Sequence, residues 1–135
     1  MKGSAPPISC ELAVKAIVPT VRAMLAKELT SGHMMKQQEV ATALGLTQSA
    51  ISQYLRNVRG TALDLQGVQS IEAVIKEMAQ AISDGSASFS YINGKYCEVC
   101  RQVRETRLLC NLHKKVDPDF EIEGCSSCTP GAHGC

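Results

Sequence analysis

Six of the seven cysteines in this 135-residue chain lie between Cys97 and Cys135. Four of them form two pairs, Cys97-x2-Cys100 and Cys125-x2-Cys128, with 24 residues between the pairs. Two residues between thiolates let both sulfurs reach one ion or one cluster. Tetrahedral zinc takes four thiolates, and this set satisfies it. An iron–sulfur cluster also takes four, often from irregularly spaced cysteines. The 24-residue spacer is long for a compact zinc ribbon, and there are two thiols more than zinc needs. A 4Fe–4S cluster is therefore the first expectation and zinc the alternative, with a thiol switch or disulfides behind them. Cys110, Cys135 and the distant Cys10 are secondary candidate ligands; Cys10 reads equally well as a small buried apolar residue. His33, His113 and His133 are weaker candidates, because a lone histidine is more often a surface group. One constraint is geometric. A straight helix over 97–112 would hold Cys100 and Cys110 about 15 Å apart at 1.5 Å per residue. Either the helix breaks near Glu105-Thr106, or Cys110 serves elsewhere, together with His113.

A second group of residues is built for hydrogen bonding. The stretch from Gln37 to Arg56 reads Gln-Gln-Glu-Val-Ala-Thr-Ala-Leu-Gly-Leu-Thr-Gln-Ser-Ala-Ile-Ser-Gln-Tyr-Leu-Arg. It predicts two short helices joined by a tight turn. Ala41 is small where the helices must cross. Gly45 stands at the turn, where a positive φ favours glycine. Val40, Leu44, Leu46, Ile51 and Leu55 point inward, and the Thr47 hydroxyl caps the second helix. Gln48, Ser49, Ser52, Gln53 and Arg56 are left on the outer face. That face carries no carboxylate. Glutamine pairs in bidentate fashion with adenine, and arginine with guanine or phosphate. Gln48 and Gln53 are thus the expected base readers, while Gln37, Arg56 and Arg59 are expected phosphate anchors. A helical hairpin with no ligand would show the same turn. It would not need a small residue at 41, glycine at 45, isoleucine at 51 and an acid-free face together.

The elements around this stretch follow from periodicity. Residues 1–8 read as a disordered lead. Ser9 caps a first helix, and Leu12, Ala13, Val14, Ala16, Ile17 and Val18 form a nearly continuous apolar run expected to be buried. Pro19 predicts either a kink or the first turn of a second helix. Val21, Met24, Leu25 and Leu29 mark a buried face, and Gly32 a helix end. Residues 59–62 form a turn. A further helix over 67–83 carries Val68, Ile71, Ile75, Met78 and Ile82 at alternating steps of three and four. That seam faces either the core or the partner in a dimer, and the two are compatible. Asp84 to Ser88 is a linker by composition. The chain then divides into a DNA-binding head with a dimerisation helix at 9–83 and a Cys-rich module at 89–135. Within the latter, residues 97–114 look helical, and from Asp117 onward no periodicity remains.

In the stretch from Gln37 to Arg56 the sequence resembles the Cro/lambda-repressor-like family, over residues 19–83. The resemblance implies a compact head of four or five helices. It also implies a homodimer on two-fold double-stranded DNA, with the second motif helix in the major groove. Many members carry Ser or Thr before the first motif helix, where Lys36 stands here. The layout is also similar to a group of predicted, mostly archaeal, regulators. In those a Cys-Glu pair opens the first helix (Cys10-Glu11), and the head ends in Ser-Gln-Tyr-Leu (Ser52 to Leu55) and an Arg-Gly turn (Arg59-Gly60). A cysteine-containing tail follows. That resemblance implies a regulator without naming its signal.

Composition agrees with these readings and excludes others. Net charge is +1, but residues 1–60 carry seven Lys and Arg against three Glu, and residues 61–135 carry seven against ten acids. A basic half beside an acidic one fits a phosphate-facing head. No apolar run approaches the roughly 20 residues of a membrane span, and the first residues lack the apolar stretch of a signal peptide. A cytoplasmic setting is expected, where clustered cysteines bind metals more often than they form disulfides. An enzyme is not expected. There is no phosphate-binding glycine loop, no Ser/His/Asp set, and no strand-rich scaffold for Cys97-x2-Cys100 as an oxidoreductase. Scarce aromatics and absent tryptophan point to an all-α fold: a helix-turn-helix head plus a small Cys-rich C-terminal module. The function expected is a sequence-specific transcriptional regulator modulated by a cluster that senses redox state, oxygen or iron. The alternative is a regulator whose zinc module is structural or docks a partner.

Overall fold

The computed structural model describes residues 9–61, 63–106 and 108. Five α-helices follow one another, α1 (Ser9–Lys27), α2 (Gln37–Leu44), α3 (Gln48–Leu55), α4 (Gln69–Ser83) and α5 (Phe89–Glu105). A π-helical turn, Glu28–Gly32, extends α1. There is no strand among the described residues.

Helix α1 is the central post, in contact with α3, α4 and α5. Val21, Leu25 and Leu29 are fully buried, as their spacing predicts, and Ala26 joins them. Pro19 lies inside this single helix rather than opening a second one. Proline supplies no N–H to the helix ladder, and beside it the Thr20 hydroxyl donates to the Ala16 carbonyl at 2.7 Å. The apolar run before it is not buried throughout: Ala16 and Ile17 are, but Val14 is 65% exposed. At the other end, widening of the helix loosens its carbonyls, and hydroxyls take them up. Thr30 Oγ1 donates to the Ala26 carbonyl at 2.8 Å, and Ser31 Oγ to that of Lys27 at 2.6 Å. The turn stops at Gly32, the expected helix end.

The seam of α4 closes inside the chain. Ile71, Val74, Ile75, Met78 and Ala79 are buried in the common core, with Val68 and Ile82 at its edge. Of the two uses expected for this face, the core takes it, so it is not a surface open to a second copy.

At 84–88 the chain turns. The Asp84 carboxylate accepts from the Ser86 N–H at 2.9 Å, and the Ser86 side chain and backbone hold its carboxyl below the usual range. The Ser88 hydroxyl then caps α5 by accepting from the Tyr91 N–H at 3.1 Å. Two sequence expectations change here. The helix begins at Phe89 rather than at residue 97, because Ile92 and Tyr96 already pack against the core. The core also does not stop at the turn, for Val99 and Val103 are fully buried in the same cluster as Ile71 and Met78. The expected lead at 1–8, the helical continuation to 114 and the tail from Asp117 lie outside the described residues.

Candidate nucleic-acid interface

The turn between α2 and α3 has the predicted form. Gly45 adopts φ 67°, ψ 34° and closes α2, its N–H donating to the Ala41 and Thr42 carbonyls. The Thr47 hydroxyl accepts from the Ala50 N–H at 3.1 Å and starts α3. Val40, Ala41 and Ile51 are buried, while Leu44, Leu46 and Leu55 are half-buried around them. Lys36, an unusual residue before the first motif helix, does not leave that end open. Its backbone N–H donates to the Glu39 carboxylate at 3.0 Å.

Seating of the pair depends on the loop that follows. Gly60 has φ 73°. A Cβ there would stand 2.6 Å from the Pro19 carbonyl oxygen and 2.8 Å from the Ala23 Cβ. The loop therefore lies directly on α1, and only glycine fits. Lys27 ties the same loop down, donating from Nζ to Asn57 Oδ1 at 2.6 Å. Leu65, almost fully buried, anchors its far end.

On this frame α3 buries Ala50, Ile51 and Tyr54 and turns its hydrogen-bonding side chains outward. Gln48, Ser49 and Arg56 are exposed, and Ser52 and Gln53 are half-buried. Thr47 is exposed at the start of the helix, and Gln37 is half-buried at the start of α2. Arg56 caps the C-terminal end, its Nε donating to the Ser52 carbonyl at 3.4 Å. A cation there meets the negative end of the helix dipole. Arg59 is exposed, with its guanidinium 5.6 Å from the centre of the Tyr54 ring. That cation–π contact was not anticipated from sequence. Tyr54 is the missed residue, since a tyrosine on the inner face of α3 gives no local sign that an arginine five positions on will rest on it. The arrangement presents neutral hydrogen-bonding groups along one helix, with guanidinium groups at its end.

The cysteines divide. Cys97 and Cys100 lie one turn apart on α5, both half-buried and neither in a disulfide. Cys100 packs against the core, and its sulfur accepts a hydrogen bond from Arg104 Nε at 3.4 Å. Helix α5 ends at Glu105, with Thr106 as its cap. This is the break that a shared site with Cys110 would require. Cys110, Cys125, Cys128, Cys135, His113 and His133 lie outside the described residues. Cys10 is on α1, with its side chain outside them. Among the described residues, His33 included, no three His, Cys, Asp or Glu side chains gather as a metal site.

Residues 25–74 match the family model described as helix-turn-helix. The match begins in the last turn of α1 and ends in the first turns of α4, less than half of the chain. It supports a DNA-binding transcriptional regulator built on a Cro/lambda-repressor-type head. Comparison with curated proteins and with solved structures gives no match. No helix among the described residues is long and apolar enough to cross a membrane.

Proposed function

We propose that this protein is a sequence-specific regulator of transcription that reads double-stranded DNA with the outer face of α3, as a homodimer. The observation that carries the reading is the acid-free face of Gln48, Ser49, Ser52, Gln53 and Arg56, held on a helix whose start and angle are set by Gly45 and Thr47. Helix α3 enters the major groove. Gln48 and Gln53 read adenine edges. Gln37, Arg56 and Arg59 contact phosphates, with Thr47, Ser49 and Ser52 within the same footprint. Two such helices, spaced by about one helical turn of DNA, make a two-fold site. Because the α4 seam is used internally, the dimer forms elsewhere; Val14, Met34, Val58 and Phe89 are the large apolar groups exposed among the described residues.

The proposal extends to the cysteines. Cys97 and Cys100, with Cys125 and Cys128 and with Cys110, Cys135 and Cys10 in reserve, hold a 4Fe–4S cluster. Two features of α5 support it: the thiols share one helical face at one-turn spacing, and a guanidinium N–H faces one sulfur, as suits a thiolate ligand. Such a group supplies sensitivity to oxygen, iron or redox state. Helix α5 carries that change inward, because Val99 and Val103 belong to the core that seats α3.

Selection of binding sites from random duplex DNA tests the first part. A two-fold consensus whose base preferences relax in Gln48→Ala or Gln53→Ala is expected. Binding with no sequence preference, or preferences unmoved by either change, overturns it. Anaerobic purification with iron, sulfide and zinc analysis tests the second. Iron with acid-labile sulfide is expected. One zinc per chain, retained in air, replaces the cluster with a structural or partner-docking zinc module.

A further inference from the structure

Between α1, the C-terminal end of α2 and the α4–α5 turn lies an open cleft of about 740 Å³. That volume falls in the range of small-molecule sites, roughly 300–1,000 Å³. Val18, Leu44, Ile82, Phe89 and Ile92 give it apolar walls, and Gly45 of the DNA-reading turn forms part of its rim. Among the described residues one charged side chain, Arg22, lines it, and no carboxylate does. Among the described residues Arg22 has no acidic partner. It stands beside the Tyr96 hydroxyl, which is largely buried in the wall; burial pushes that phenol up, and the Arg22 charge pulls it part of the way back. A half-buried guanidinium at an apolar wall, with no carboxylate against it among the described residues, keeps N–H donors free to pair with an anion entering the cleft.

We infer that this cleft binds a small amphipathic anion, an apolar body of several carbons ending in a carboxylate that pairs with Arg22. The guanidinium offers a planar fork that carboxylates accept in bidentate fashion. The Tyr96 hydroxyl supplies a further donor beside it. Apolar walls take the body of the ligand, whose burial is favourable in proportion to its area. The inference stands apart from the reading of α3 and from the cysteines, since it concerns binding in the absence of DNA and metal. Where α3 does read DNA, an occupant here rests against Gly45 and Leu44 and so meets the head at its turn.

Titration calorimetry of the full chain, without DNA, tests it. Octanoate is one probe and 1-octanol, its neutral counterpart, the other. Octanoate is expected to bind at one per chain, with octanol about tenfold weaker, the loss of a charge-assisted pair. Arg22→Gln brings octanoate down to the octanol level, and Arg22→Lys restores most of the difference. Tyr96→Phe weakens octanoate a few-fold. Ala87→Trp, which fills the cleft from its wall with Arg22 intact, abolishes uptake of both probes. The last two variants keep the test decisive if Arg22→Gln fails to fold. Equal affinity for the two probes, octanoate binding indifferent to Arg22 and Ala87, or no uptake at all would overturn the inference. So would a dimer in sedimentation that dissociates in Phe89→Asp while neither form takes up octanoate, because a second copy would then own the cleft.

Discussion

Helices α3 and α5 both rest on α1, and both bury one face, yet they spend their polar residues in opposite ways. Helix α3 is short and buries Ala50, Ile51 and Tyr54. Leu55 packs at the edge of the core, and the polar side chains Gln48, Ser49, Ser52 and Gln53 lie on the outer face, the first two exposed and the last two half-buried. Helix α5 is twice as long and ties several of its polar groups back onto its own chain. Lys95 bridges to Glu77 on α4 at 2.7 Å and to Glu98 on its own helix at 3.5 Å. Arg104 is buried and meets Cys100. The first helix therefore offers an outward polar face, proposed above as the DNA-reading surface, that the core holds in place. The second is part of the core, and its cysteines are fastened to the structure that holds the first. A chemical event at Cys97 or Cys100 has a path to α3 through packed side chains, with no flexible linker between.

The sharpest way to break this contrast is to charge the buried face of α5. Val103→Asp puts an unpaired carboxylate into the common core, a change of about 4 kcal/mol or more. We expect it to lower the melting transition of the whole head, seen by circular dichroism as one cooperative step and by amide NMR at α3 residues such as Ile51. Retention of the α3 signals while α5 alone melts would mean that the two helices belong to separate units. The converse change is on α3. Gln48→Ala and Gln53→Ala should leave the melting temperature nearly unmoved, within about 0.5 kcal/mol. Each should reduce discrimination at one base position by about 1–3 kcal/mol, measured by competition between a consensus duplex and its single-base variants. Loss of stability without loss of discrimination would make that face structural.

Much of the α3 side of this contrast was legible in the sequence, because its determinants are local. A glycine that must take a positive φ, a threonine that caps, a small residue at a helix crossing and an alternation of buried and exposed positions all lie within twenty consecutive residues. The α5 side was not. Asp84 to Ser88 has the composition of a linker, and composition does not say whether the chain leaves after a turn or comes back. Here it comes back, because Ile92, Tyr96, Val99 and Val103 present a stripe that the edge of the α4 seam and α1 can cover. The same long-range pairing decided α4. Its heptad-like pattern describes a buried stripe without naming the partner, and the partner turned out to be within the chain. Gly60 is a mixed case. Its place in an Arg-Gly turn could be seen, but contact with the Pro19 carbonyl could not, since the two residues are 41 positions apart.

Smaller effects separate the anchors at the end of α3. Arg56 is exposed, its Nε making a long bond to the Ser52 carbonyl, whereas Arg59 is seated on Tyr54. If each meets one phosphate, Arg56→Ala and Arg59→Ala should each lower the slope of log affinity against log salt by about 1, equally for all duplexes. Tyr54→Leu keeps an apolar side chain in the core and removes the ring. It should weaken the Arg59 contribution and leave that of Arg56. Equal weakening of both by Tyr54→Leu would show that the ring supports α3 as a whole and does not orient Arg59.

The least of the expected effects tests how firmly α5 is held to α1, through Tyr96. Burial raises its phenol above the usual tyrosine value of about 10, and Arg22 opposes this without cancelling it. Above that usual value the unfolded chain has released the proton, while the folded chain still keeps it. Folded protein then binds more protons than unfolded, so stability is level below about pH 10 and falls as pH rises beyond it. Lys95 adds a fall in the same region. Its ammonium is held above the usual lysine value chiefly by Glu77, so its contribution is complete below that value and lost as pH rises through the raised one. Wild type and Tyr96→Phe share the lysine part, and their difference isolates the tyrosine. Denaturant unfolding at pH 7, 9 and about 11 should give a shallower alkaline decline for Tyr96→Phe, with little change at neutral pH. Parallel declines in the two proteins would mean that the phenol is as well solvated in the folded chain as in the unfolded one. The wall of the cleft between α1 and α5 would then be open to water, and the hold of α5 on the head would rest on its other contacts, Val99 and Val103 foremost.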